Sequence, residues 1–136
     1  MAYLKLCEHC YAFLKDRQWF YPERFEFLDE VAYHALSIKE QKCCIIVPHA
    51  DVADIRKSFF DKLNNNVIRN RYLRILRKSC KEDAAERLFW WLLAEQNLTG
   101  DYKNFEEKYL ISFAKNWCYK YGIPCSDKPR DIKHAR

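Results

Sequence analysis

The chain has 136 residues, a formal net charge of +5, 49% hydrophobic residues and 16% aromatics, which is enough for one core-forming domain and too short for two ordinary ones. It holds two glycines, Gly100 and Gly122, which excludes G-x-G-x-x-G dinucleotide loops, the G-x-x-x-x-G-K phosphate cradle and the G-x-S-x-G nucleophile elbow. The same scarcity argues against hairpin-rich β folds, whose tight turns need residues tolerant of positive φ.

From the N-terminus, Leu4, Leu6, Cys7, Cys10, Tyr11 and Leu14 form the apolar side of a predicted amphipathic helix over residues 3–15. Residues 16–21 read as a connector. Pro22 then opens a second predicted helix, with Phe25, Leu28, Val31, Ala32 and Ala35 at three- and four-residue spacing. Ser37 and Glu40 have capping-box spacing and predict a short extra turn. Residues 43–47 suit strand and helix equally, and Pro48 ends the segment either way.

Asp51 or Asp54 is placed to cap a helix carrying Ile55, Phe59, Phe60 and Leu63, and Asn64, Asn65 and Asn66 break it. A fourth helix is predicted over 67–79. Asp83 and Glu86 have capping-box spacing for a fifth, ending near Gln96, with Gly100 in the connector behind it. Asn104 and Glu107 repeat that spacing for a sixth helix, along which Phe105, Tyr109, Phe113 and Trp117 recur every four residues. Gly122 and Pro124 supply its stop. The expectation is an all-α fold: one compact bundle of about six helices over 1–125, followed by a polar, frayed tail over 126–136.

The longest apolar runs, 43–48 and 89–94, are too short to span a bilayer, and the N-terminus has no long secretory h-region. Seven cysteines, an odd number with Cys43 and Cys44 adjacent, read as reduced thiols of a cytoplasmic or nuclear protein. The sequon at Asn97 then reads as an unmodified loop.

The run from Lys62 to Lys81 contains seven basic residues and no acidic one. At 100° per residue, Arg71, Arg74, Arg77, Lys78 and Lys81 share one helix face, with Ile68, Tyr72, Ile75 and Leu76 opposite. A stripe of one sign repels itself and recruits anions, whether nucleic acid, acidic protein surfaces or lipid head groups. Trp90 and Trp91 sit in a cluster too bulky for one helix face, so one of them must point away from the core, where an exposed tryptophan can anchor a partner. Cys7 and Cys10, one helical turn apart, could bind zinc together with Cys43 or Cys44 and His49. A thiol nucleophile beside His34 or His49 is the catalytic alternative, but no residue pattern singles out one cysteine. Glu106 with Glu107, and Asp29 with Glu30, read as ordinary helix surface.

The stretch over 83–110 resembles the fourth and fifth helices of a caspase-recruitment domain. Ala84, Ala85, Leu88, Leu92 and Leu93 are followed by Tyr102 and Phe105, then Leu110, and residues 55–78 would supply the second and third helices. The resemblance implies a death-fold module that assembles with like modules through charged faces, the Arg71–Lys81 stripe being one of them. The residues together predict a small non-enzymatic protein that binds another protein through the basic face and a tryptophan, its composition suiting a viral or host-modulating accessory protein. A nucleic-acid binder using the same stripe, and a zinc-stabilised helical module, are the alternatives, and self-association is compatible with all three.

Overall fold

The computed structural model describes residues 2–78 and 81–128. Among these it contains seven α-helices, one 3₁₀ helix and five short strands, so the protein is helix-rich and the expected all-α architecture is corrected by two small sheets. The chain divides into two compact units, Met1–Asp51 with Glu107–Arg136, and Val52–Glu106.

The first unit departs most from expectation. In place of one helix over 3–15, the chain forms β1 (Leu4–Lys5), α1 (Leu6–His9) and a 3₁₀ helix (Cys10–Leu14). The segment expected to be a connector is β2 (Gln18–Tyr21), and the helix expected after Pro22 is instead β3 (Glu26–Leu28) followed by α2 (Glu30–His34). Aromatic residues favour a pleated, half-buried strand, and Trp19, Phe20 and Tyr21 stand in succession on β2. The β2–β3 hairpin turns at Phe25, a non-glycine residue at φ 53, and Phe25 N–H donates to the Pro22 carbonyl at 3.1 Å. Such a backbone costs an L-residue about 1 to 2 kcal/mol. The Phe25 ring meets Phe20 edge-on at 5.3 Å, and this packing offsets part of that cost.

Asp29 caps α2 by accepting from Ala32 N–H. The Ser37–Glu40 capping box is formed as expected at the start of α3 (Ile38–Gln41). The ambiguous segment resolves to a strand, β4 (Ile45–Val47), which pairs with β2 so that the antiparallel order is β3-β2-β4. Val31, expected on a buried helix side, is 80% exposed. Phe13 and Phe20 pack edge-on against Trp117 at 5.3 and 5.7 Å, and Trp117 Nε1 donates to the Ile46 carbonyl at 3.1 Å.

The second unit is close to the expected helices. It contains α4 (Val52–Leu63), α5 (Asn66–Lys78) and α6 (Glu82–Glu95). Asn64 adopts φ 56 and ends α4, and Asn65 Oδ1 then accepts from Val67 and Ile68 N–H at the start of α5. Ile55, Phe59, Phe60, Tyr72, Phe89, Leu92, Leu93 and Tyr102 are buried in its core, with Phe60 and Tyr72 stacked at 4.5 Å. Leu76, expected on the buried face of α5, is 50% exposed, while Ile68 and Tyr72 are buried as expected.

Two helix starts need correction. Lys81 is the N-cap of α6 and no side chain caps it, so Asp83 and Glu86 form no capping box. The last helix, α7, runs over Thr99–Tyr121, so Asn104 and Glu107 lie within it and Gly100 stands in its first turn. The reason is Asn97: at φ 59 it ends α6, with Leu98 N–H donating to the Leu93 carbonyl at 2.8 Å, and α7 begins two residues later. Gly122 ends α7 as expected, at φ 66, with Ile123 N–H donating to the Cys118 carbonyl. β5 (Cys125–Ser126) pairs in parallel with β1. Most of the tail expected to fray lies outside the described residues.

Candidate functional site

The antiparallel helices α5 and α6 enclose an open groove of about 560 Å³ lined by Arg71, Arg74, Ile75, Lys78, Lys81, Ala84, Leu88 and Trp91. Four of these residues are cations of the predicted stripe and none is acidic. The floor is aliphatic and aromatic. It comes from α5 through Ile75 and from α6 through Ala84, Leu88 and Trp91, which recur at i, i+4 and i+7 and therefore lie on one helix face. The adjacent side of α6 carries Phe89, Leu92 and Leu93 into the core.

Trp91 is the tryptophan that points away from the core: it is 57% exposed. The Arg71 guanidinium lies 5.9 Å from its ring centre, and Arg71 Nη2 is 2.6 Å from Glu95 Oε1. This pairing spans α5 and α6 and holds the end of the groove where Trp91 sits. Arg74 is exposed and makes no ion pair among the described residues, as is also true of Arg77. Lys78 is exposed in the last turn of α5, where a cation is favoured by the helix dipole. On the other side of the α6 stripe, Arg87 lines a second depression with Ala84, Leu88 and Trp91.

The groove thus unites Arg71, Arg74, Lys78, Lys81 and Trp91. It leaves out Arg77, which does not line it, and Trp90. Trp90 is half-buried and donates from Nε1 to Glu86 Oε2 at 2.7 Å, with its ring edge-on to Phe89 and Tyr102. It is part of the packing of the second unit. Arg87 was missed by sequence reasoning, because it lies outside the basic run, although its place one turn from Ala84 and Trp91 was available as a signal.

The proposed zinc ligands do not converge. Cys7 and Cys10 are buried in the first unit, Cys43 is exposed with Sγ donating to the Lys39 carbonyl, and His49 Nε2 donates to the Leu14 carbonyl at 3.0 Å. Among the described residues no group of three or more His, Cys, Asp and Glu side chains is placed to hold a metal ion. His34 lies 4.0 Å from Glu30 and packs near Trp19, so its surroundings are those of a surface residue. Glu106 accepts from the Tyr102 hydroxyl and Glu30 pairs with Arg17. Among the described residues no helix is long and apolar enough to cross a membrane.

Comparison with protein-family models, with curated proteins and with solved structures finds no match for this chain.

Proposed function

We propose that this protein is a small, non-enzymatic interaction module of the cell interior that binds another protein through the basic face of α5 and the exposed Trp91. One observation carries the reading: four of the five stripe cations, Arg71, Arg74, Lys78 and Lys81, line the same groove as Trp91. Arginine offers bidentate hydrogen bonds to carboxylates, and a large exposed aromatic beside it supplies the apolar area that a bound surface must bury. The caspase-recruitment resemblance over 55–110 supports the same reading, because it assigns the stripe to assembly between modules.

Affinity capture with the tagged full chain tests it. The wild-type chain retains a specific protein after nuclease treatment, and the Arg74→Glu/Trp91→Ala variant loses it while its circular dichroism is unchanged. Undiminished capture by the folded variant overturns the reading. A nucleic-acid partner is the second reading, supported by exposed Arg74 and Arg77, and it requires affinity for DNA or RNA that falls steeply with salt.

A further inference from the structure

The groove has a more specific shape than a basic patch. Its apolar residues on α6, Ala84, Leu88 and Trp91, cover two helical turns, roughly 10 Å. Leu88 is 42% exposed and Trp91 57%, so α6 carries one apolar stripe into the core and a second one into solvent. The second stripe is flanked by cations on both sides: Arg74 and Lys78 from α5 on one, Arg87 from α6 itself on the other. A stripe bounded in this way is the electrostatic counterpart of an amphipathic helix whose apolar face is bordered on both sides by carboxylates.

We infer that the groove between α5 and α6 receives an acidic amphipathic helical segment of a partner protein. Apolar side chains at i, i+4 and i+7 of the partner seat against Ile75, Leu88 and Trp91. Its carboxylates meet Arg74 on one border and Arg87 on the other. The inference rests on the proposed protein-binding function and names the chemistry of the partner.

Charge argues against the other occupants. A second copy presenting the same groove would bring two cationic rims together, which is repulsive. A nucleic-acid strand would satisfy the cations but leave the aliphatic floor at Ile75, Ala84 and Leu88 without an apolar partner. Arg71 is already committed to Glu95 and holds Trp91 in position, so the docking charges are those on the two borders.

The test uses the full chain and a labelled helical peptide of about 15 residues, four turns long, with leucine at i, i+4 and i+7 and glutamate on both borders. One control replaces every glutamate by lysine and another replaces the leucines by serine. The glutamate–leucine peptide is expected to bind about tenfold or more tightly than either control, by anisotropy, and to shift Trp91 emission to the blue. The Arg74→Glu/Arg87→Glu variant is expected to transfer the preference to the lysine peptide, a gain of binding that an unfolded variant cannot give.

Equal binding of the two charged peptides, no transfer of preference, or no binding of any peptide overturns the inference. So does an oligothymidine strand that displaces the peptide with the same sensitivity to Arg74, or dimerisation of the free chain that Trp91→Ala abolishes. If the peptides fail but Arg74→Glu/Trp91→Ala still loses the captured cellular protein, the acidic-helix inference falls and the protein-binding reading stands. If capture is also undiminished, both fall.

Discussion

Arg56 holds Glu86 through two parallel hydrogen bonds, Nη1 to Oε1 and Nη2 to Oε2, both at 2.8 Å. The guanidinium also lies 3.9 Å from the centre of the Phe89 ring, and its Nε is buried without a hydrogen-bond partner among the described residues. The same carboxylate accepts from Trp90 Nε1, so one acid ties α4 to α6 and fixes a tryptophan. The hydrogen bond from Arg56 holds Glu86 below the usual carboxylate range.

That depression has a sign. The stabilisation is present above the ordinary carboxylate pKa and is lost as pH falls through the lowered value of the folded state. Glu86→Gln is expected to cost about 1 to 2 kcal/mol in urea denaturation at pH 7, because Arg56 keeps a largely buried charge with one weaker partner. The difference between wild type and variant should shrink as pH drops below about 4.5. A variant as stable as wild type at pH 7 would show that the pair contributes nothing.

The two glycines respond oppositely to alanine. Gly122 stands at φ 66 with open space where a Cβ would be, so Gly122→Ala pays only backbone strain, about 1 kcal/mol. Gly100 lies in the first turn of α7, also with open space around it, and its φ is not in the left-handed region. Gly100→Ala is expected to stabilise by about 0.5 kcal/mol through the lost freedom of the unfolded chain. Thermal denaturation of the two variants should move in opposite directions.

Thiol reactivity should separate the cysteines. Burial pushes the Cys118 thiol up to about 12, with Cys125 beside it adding to the rise, whereas Cys43 is exposed. At pH 8 iodoacetamide is expected to modify Cys43 while Cys118 reacts only after denaturation, as read by peptide mass spectrometry. Equal labelling of both in the native protein would contradict the packing of α7.

Trp91 reports the local field. The ratio of iodide to caesium quenching is expected to be higher for Trp91 than for a free tryptophan derivative, because Arg74 and Lys78 raise the anion concentration at the groove. Trp91→Phe should remove most of the iodide-sensitive emission, and Arg74→Glu should lower that ratio.

Local chemistry was legible in the sequence where a single segment contains the whole signal. The Ser37–Glu40 box, the break at Asn64 and the stop at Gly122 each depend on a few consecutive residues. The hairpin was not legible, because Arg17 and Phe25 take left-handed backbone at φ 52 and 53 where glycine or asparagine would have announced a turn. Nor was the pairing of Leu4 with Cys125, which depends on residues far apart in the chain. The spacing of Asn104 and Glu107 misled for the opposite reason: Asn97 and Thr99 had already restarted the chain as helix. The groove was legible in halves. Periodicity found the cations of α5 and bulk singled out a tryptophan of α6, but no period links two helices.

The double character of α6 has a consequence for mutational scanning. Phe89, Leu92 and Leu93 alternate within a few positions with Leu88 and Trp91, so sensitivity to substitution should change abruptly from neighbour to neighbour. A scan scored by cellular abundance would register the first three and pass over the other two. The positions it reported as tolerant would include Leu88 and Trp91, the proposed contacts with a partner.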